Sequence, residues 1–329
     1  MAGKPVQRVQ DAIHGLIEFQ GLETSVVDVL RAEELQRLRR IRQLGLSHLV
    51  FPSGEHSRLA HSIGAAHLAI RFGRHLENVV GSRLVDWLSV DASVTRDLAL
   101  AALCHDLGHG PLSHVWENEA VGDFDRTKWM QSLGLSDDDV DLTGLSWHEL
   151  VWQGLLAWQE GQLHQLLDQQ EDGTSDRVRM LLAGRYHPPY LPRLLAGDID
   201  VDRCDYVARD ARLTGVAYGR YDLDWLISTT TVGYTQTNDM VIGFDKRKAL
   251  RVIEQFLVAR RALYDTVYHH KTVKCAEGMV GLFLRRLRQL TRESDWPLGG
   301  VQEHRSIRLL VEGNALTPRE VLDLDDYSL

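Results

Sequence analysis

Cysteine is scarce in this sequence. The chain holds three, Cys104, Cys204 and Cys275, far apart and odd in number. That pattern argues against a disulfide framework and against a Cys-x-x-Cys metal site. Long apolar runs are also missing. None approaches the ~20 residues needed to span a bilayer, and the N-terminus lacks the apolar stretch of a secretory signal. The resulting expectation is a cytoplasmic protein with no membrane partner. An excess of positive charge is absent too. Lys and Arg number 37 against 46 Asp and Glu, a formal net charge of -9. A general nucleic-acid binder is usually basic, so nucleic acid is not the expected partner. A phosphorylated small molecule remains allowed, because it needs only a local cluster of cations in a cleft.

What is present is an ordinary globular composition, with 44% hydrophobic and 25% charged residues. The length of 329 residues suffices to bury a sizeable core. Histidine is frequent at 15 residues, and it is both a metal ligand and a group that titrates near neutral pH. Helical periodicity dominates. Leu35, Leu38, Ile41 and Leu44 recur at three-residue steps before Gly45, which predicts one helix. Ser57 is a candidate N-cap for a segment carrying Leu59, Ile63, Ala66 and Ile70. The Leu- and Ala-rich stretch from Val94 to Leu107 reads as a buried helix stopped at Gly108. Further helices are predicted near 147–170, 176–184 and 198–213. A long one should run from about Lys246 to His270, with another after it. Residues 227–244, rich in Thr and Val around Asn238-Asp239, predict a short β-hairpin. The fold class is therefore mostly α with a small β-hairpin. Pro297, Gly299 and Gly300 predict a loop, and the acidic run Asp323 to Asp326 predicts a frayed end.

The chemistry concentrates in three strings. LCHDLGHGPLSH, from Leu103 to His114, sets His105 and Asp106 side by side at the end of an apolar helix. A buried carboxylate is costly unless paired or metal-bound. Two glycines let the backbone turn beside the pair. RLAHSIG, from Arg58 to Gly64, offers His61. DIDVDRCDYVARD, from Asp198 to Asp210, offers several carboxylates, with Asp202, Tyr206 and Asp210 on one helix face. The set His61, His105, Asp106 and Asp202 mixes nitrogen and oxygen donors. It suits one divalent transition metal, Mn, Fe or Zn, with additional Mg also allowed. A lone His-Asp pair is more often a surface pair than a ligand pair, so the weight rests on several spaced elements in one order.

Those three strings resemble the HD-domain deoxynucleoside triphosphate triphosphohydrolases, in the branch related to the vertebrate sterile-alpha-motif and HD-domain enzyme. The resemblance runs from about residue 10 to 290. It implies an HD domain over 1–290 and a short C-terminal extension over 291–329. It assigns His61, His105, Asp106 and Asp202 to the metal, and His109, His114 and His148 to the region of the scissile phosphate. Glu117, three residues after His114, can face it and orient its ring. The implied reaction is attack of a metal-activated water at the α-phosphorus, with His114 protonating the departing 5′-oxygen. The products are a deoxynucleoside and tripolyphosphate. The resemblance places Arg58, Arg203, Tyr206 and Arg260 around the triphosphate. Arg203 stands where lysine is more usual, which keeps the charge and changes the donor geometry. Tyr264 shares a helical stripe with Arg260, Tyr268 and Lys271. Gln43, Leu44, Asp210 and Tyr268 match positions that read the sugar. Partners implied in this way are deoxynucleoside triphosphates, a homo-oligomer and a nucleotide effector. One departure concerns the effector: Arg31 stands where the vertebrate branch has a guanine-reading Asp, ahead of Gln36-Arg37-Leu38-Arg39. The basic run Arg37, Arg39, Arg40 and Arg42 can equally be a face that packs on a partner.

Overall fold

In a computed structural model, which describes residues 5–81, 90–121, 124–136, 144–237, 239–292 and 304–328, helices dominate and the strands form two antiparallel hairpins. Strands β1 (Gln7–Asp11) and β2 (Gly15–Phe19) precede α1 (Thr24–Val29), α2 (Glu33–Arg37), α3 (Arg58–Gly81) and α4 (Ala92–Cys104). Next come the short α5 (His114–Trp116), then α6 (Arg126–Ser132), α7 (Trp147–Ala157), α8 (Gln162–Asp168), α9 (Thr174–Leu182), α10 (Val201–Thr214) and α11 (Leu223–Ser228). Strands β3 (Thr230–Tyr234) and β4 (Met240–Phe244) lead to α12 (Lys246–Leu263), α13 (Lys271–Arg292), α14 (Arg305–Val311) and α15 (Pro318–Val321). Among the described residues no helix is long and apolar enough to cross a membrane.

The chain divides into two units. The first comprises Met1–Arg31, Ala60–His105 and Leu166–Val267; the second comprises Ala32–Leu59, Asp106–Gln165 and Tyr268–Leu329. In the first, α4 is the central element. Asp91 caps it by accepting from the amides of Ser93 and Val94, satisfying donors that a helix start leaves unpaired. Leu98 through Cys104 are buried, and α1 and α9 pack on it. α3 contributes Ala65, Ala66, Leu68, Ala69, Phe72 and Leu76 to the same core. In the second unit the core is built on Trp116, Trp147, Leu150, Leu155, Leu284, Leu287, Leu316 and Leu324. A capping box of Ser146 and Glu149 starts α7.

Several expectations need correction. Among the described residues a second hairpin accompanies the predicted one. The predicted hairpin at 227–244 is β3–β4, with Thr230 opposite Phe244 and Tyr234 opposite Met240; Asn238 of its turn lies outside the described residues. The additional hairpin pairs Gln7 with Phe19 through Asp11 with Gly15. Its strands are short and polar on one face, so neither stands out in the sequence. Its turn is set by Asp11, which accepts from the amides of Ile13 and His14, and by Gly15 at φ 70°. The helix expected over Leu35 to Leu44 stops at Arg37, tightens into a 3-10 turn over Leu38–Arg40, and becomes extended at Ile41. Arg42 then bridges to Ser57. The apolar repeat is honoured in burial, since Leu35, Leu38 and Ile41 are all buried. The segment 147–170 is two helices, broken at residues 158–161. The long helix ends in a π turn at Tyr264–Tyr268. The predicted loop at Pro297, Gly299 and Gly300 lies outside the described residues. The acidic end is not frayed: Asp325 pairs with Arg40 and Asp326 accepts from the amides of Arg42 and Leu112. Most of the basic run thus packs on its own chain.

Candidate active site

Three helix ends meet in the first unit. His61 lies in the first turn of α3, His105 is the C-cap of α4, and Asp202 lies in the first turn of α10. Asp200 caps α10 by accepting from the Arg203 amide at 2.7 Å. His61 Nε2 is 3.2 Å from His105 Nε2 and 3.0 Å from Asp202 Oδ1. His105 Nε2 is 3.6 Å from the same oxygen. The opposite ring nitrogens decide what these atoms offer. His105 Nδ1 is 2.7 Å from the Ala102 carbonyl, which can only accept, so Nδ1 carries the proton and Nε2 a lone pair. His61 Nδ1 is 2.8 Å from Asp205 Oδ2, which leaves Nε2 as a lone pair in the neutral ring. Two imidazole lone pairs and a carboxylate therefore converge on one point.

The electrostatics agree. Burial disfavours charge on His61, but the hydrogen bonds to Asp202 and Asp205 outweigh it and hold its pKa up at about 10. Burial would raise the Asp202 carboxyl, yet His105 and His61 hold it well below the usual range. Positive charge is favoured at this point: a proton on His61 Nε2 meets that demand when no ion is bound, and a divalent metal that displaced it would find the lone pair. The chemistry of the donor set fits such an ion.

Asp205 is the residue that sequence reasoning missed. In the sequence it is only one of several carboxylates in the string from Asp198 to Asp210. Its Oδ1 is 2.7 Å from His14 Nε2, and Arg209 donates to it at 2.7 and 3.0 Å. Arg209 also reaches Asp11 at 2.9 Å. The spacing from Asp202 by three and to Arg209 by four was the available signal, because both share its helix neighbourhood. Gly64 lies against this network. A Cβ there would collide with Asp205 and Arg209, which is why RLAHSIG ends in glycine.

Asp106 opens the second unit. It is buried, and Arg58 Nη1 donates to its Oδ2 at 2.7 Å. Arg58 Nε and Nη2 donate to Ser113 Oγ at 3.0 and 2.8 Å. Beyond it, three histidines surround one carboxylate. Glu117 Oε1 is 2.6 Å from His109 Nδ1, and Oε2 is 3.0 Å from His148 Nδ1. His114 Nδ1 is 3.5 Å from Oε2. Glu117 is thus shared, and its short bonds go to His109 and His148 rather than to His114. The His109 and His148 rings stack at 4.5 Å. His109 is buried, whereas the His114 side chain is 72% exposed. Burial and the nearby Arg58 lower the His109 pKa. Burial would raise Glu117, but bonds from the three histidines hold it far below the usual carboxylate range. A Cβ on Gly108 would collide with the His148 carbonyl, so this close approach requires glycine.

The remaining sequence-predicted residues divide between the units. In the first, Arg260 Nε donates to the Tyr206 hydroxyl at 3.1 Å and its guanidinium lies 4.9 Å over the Tyr264 ring. Asp210 is buried on α10. Arg203 pairs with Asp200 and the Gly197 carbonyl. In the second, Gln43 has a buried Oε1 without a partner, Leu44 precedes a 3-10 turn, and Tyr268 closes the π turn after α12.

Comparison with known proteins accords with this geometry. Residues 58–210 match the HD domain family. An uncharacterized protein of Bacillus subtilis is 30% identical over 96% of this chain and 63% of its own length. A deoxynucleoside triphosphate triphosphohydrolase SAMHD1 homolog of Dictyostelium discoideum is 28% identical over 87% of this chain and 50% of its own. The Bos taurus deoxynucleoside triphosphate triphosphohydrolase SAMHD1 is 28% identical, over 83% and 46% respectively. The chain therefore spans from about half to under two thirds of the length of these curated relatives. A phosphohydrolase structure from Bacteroides thetaiotaomicron superposes with a TM-score of 0.73 at 26% identity, covering 98% of this chain and 70% of that one. Residues 58–210 thus match an HD domain, and the chain is similar over most of its length to proteins named deoxynucleoside triphosphate triphosphohydrolases.

Proposed function

We propose that this protein hydrolyses deoxynucleoside triphosphates to a deoxynucleoside and tripolyphosphate, using a divalent metal. The observation that carries the reading is the convergence of two imidazole lone pairs and the Asp202 carboxylate on one point. The resemblance assigns Asp106, the next residue after His105, to the same ion. When bound, such an ion lowers the pKa of a water and polarises a phosphoryl oxygen.

The chain's own residues supply the rest. Glu117 accepts from Nδ1 of His109 and His148 and so fixes their tautomers. His114, exposed beside that pair, is free to hold a proton at Nε2 and deliver it to the leaving 5′-oxygen. Arg58, Arg203, Tyr206, Arg260 and Tyr264 are the donors assigned to the triphosphate. Gln43, Leu44, Asp210 and Tyr268 are assigned to the sugar. The open Oε1 of Gln43 supports that assignment, since a buried acceptor without a partner is suited to a substrate hydroxyl.

The test is product analysis. Each deoxynucleoside triphosphate, each ribonucleoside triphosphate and a deoxynucleoside monophosphate is incubated with the protein and Mn, Mg, Fe or Zn. Release of tripolyphosphate from deoxynucleotides supports the reading. Release of orthophosphate or pyrophosphate alone moves the chain to another HD phosphohydrolase activity.

A further inference from the structure

Asp326 is buried through its whole side chain and divides its two oxygens between two backbone amides. Oδ1 accepts from Leu112 N at 2.8 Å, and Oδ2 accepts from Arg42 N at 2.8 Å. Its own amide donates to the Arg40 carbonyl at 3.1 Å. Leu112 is an unusual place for such a bond. Leu112 and Ser113 have φ of 53° and 54°, the left-handed region that residues with a side chain rarely adopt. A consecutive pair of this kind persists only where the surroundings over-determine it. Two restraints do so here: Asp326 on the Leu112 amide, and Arg58 on the Ser113 hydroxyl. These two residues lie directly before His114.

The segment that carries Asp326 is itself anchored to the start of the loop. The buried Arg37 donates Nε to the Leu324 carbonyl at 2.7 Å. The same guanidinium donates to the carbonyls of Leu107 at 3.1 Å and His109 at 2.7 Å. One arginine thus ties the chain at residue 324 to both ends of the turn that presents His109.

We propose that Asp326 is a positioning residue for the histidine loop. By holding the Leu112 amide it sets the direction in which His114 leaves the backbone. The inference rests on the phosphohydrolase reading of that loop. A carboxylate is required because both partners are N–H donors; an Asn offers one acceptor oxygen and turns an NH2 toward the other amide.

The experiment compares the full chain with Asp326→Ala, Asp326→Asn and Arg40→Ala. Steady-state kinetics, bound-metal content and hydrogen exchange of the peptide spanning 107–116 are measured. In Asp326→Ala, kcat falls by about 10- to 100-fold, while KM and metal content stay near wild type and exchange in the peptide rises. Asp326→Asn gives a smaller loss in the same direction. Arg40→Ala removes an ion pair from the same segment but leaves the Leu112 bond, and it keeps the wild-type kcat. Wild-type kcat and exchange in Asp326→Ala overturn the proposal. So does a loss of activity matched by a loss of metal, or an equal loss in Arg40→Ala. If Asp326→Ala does not fold, Asp326→Asn decides by the same readouts. If the wild-type chain turns over no nucleotide, the functional reading fails on its own. Exchange then still decides this proposal, and protection of Leu112 that is indifferent to residue 326 overturns it.

Discussion

Asp205 serves two histidines at once: Oδ2 lies 2.8 Å from His61 Nδ1 and Oδ1 lies 2.7 Å from His14 Nε2. The first contact orients the His61 ring, proposed above as a metal ligand; the second ties that carboxylate to the turn of the N-terminal hairpin. Burial alone would raise the Asp205 carboxyl, but Arg209, His14 and His61 hold it well below its ordinary range. It is therefore a fixed anion whose direction is set by residues from three separate stretches of chain. A histidine that coordinates through Nε2 is normally held in this way through Nδ1.

The first prediction follows from that contact. Asp205→Asn weakens metal affinity by about 10- to 100-fold, the usual effect of removing an outer carboxylate from a ligand histidine. Asp205→Ala does the same and also removes two of the hydrogen bonds of the buried Arg209, leaving it Asp11, so the unfolding temperature falls below that of Asp205→Asn. Metal titration of the purified chain, followed by thermal unfolding, measures both. Unchanged metal affinity in Asp205→Asn removes Asp205 from this role.

A second prediction separates the histidines around Glu117. His114 is mostly exposed and its Glu117 contact is long, so His114→Ala leaves stability and metal content near wild type. Turnover falls by about 10²–10⁴-fold, the range for loss of a general acid. His109→Ala instead removes a buried ring that bonds Glu117 at 2.6 Å and lowers the unfolding temperature as well. Near wild-type turnover in His114→Ala would place the leaving-group proton on another residue, with His109 and His148 next in line.

How much of this was legible in the sequence depends on how local each feature is. His61, His105, Asp202 and the His109–Glu117 cluster sit in strings whose resemblance to a known family implied a metal and an acid catalyst. The apolar repeats at Leu35, Leu38 and Ile41 and along Leu98 to Leu103 announced buried faces. Contacts between distant stretches left no such mark. Asp205 and His14 are separated by 191 positions, and Asp326 and Leu112 by 214. A short acidic run at the end of a chain reads as frayed because nothing local requires order. Here two of its carboxylates order it by meeting Arg40 and two backbone amides. The N-terminal hairpin was missed for a related reason. Its five-residue strands are stable only by pairing with one another and packing beside α1.

Glu117 gives a prediction about acidity. Burial opposes its charge, but hydrogen bonds from His109, His114 and His148 hold its carboxyl below its value of about 4.5 in the unfolded chain. A depressed acid contributes stability that is fully present above the unfolded pKa and is lost as pH falls below it toward the folded one. Unfolding temperature should therefore be insensitive to Glu117 between pH 6 and 8 and should drop as pH falls below about 4.5. Glu117→Gln should be less stable at pH 7 and show a shallower acid slope. Thermal melts across pH 3 to 8 on both proteins check the sign. Equal slopes for the two would show that Glu117 is not the group responsible.

The last prediction concerns regulation. By the resemblance, the vertebrate branch reads guanine with an Asp ahead of a Gln-Arg-Leu-Arg string, and the matching position in this chain is Arg31. Arg31 is exposed, 71% by side chain, and its nearest anion is Asp28 at 3.6 Å. Guanine presents N1–H and the N2 amino group, both donors, and arginine offers only donors. Leaving those base groups unpaired on binding costs about 1–3 kcal/mol. Within the string, Arg37 is committed to three carbonyls, and the Gln36 side chain accepts from Arg39 at 2.7 Å. Gln36, Arg37 and Arg39 are thus already engaged within the chain. GTP should not activate the protein through this position, and activity should be constitutive or stimulated by a different nucleotide. Initial rates on each deoxynucleoside triphosphate, with and without GTP at saturating metal, measure this. A large GTP stimulation that survives Arg31→Ala but disappears when Gln36 and Arg39 are replaced by alanine would show that the site still operates without its carboxylate, and the prediction would be wrong.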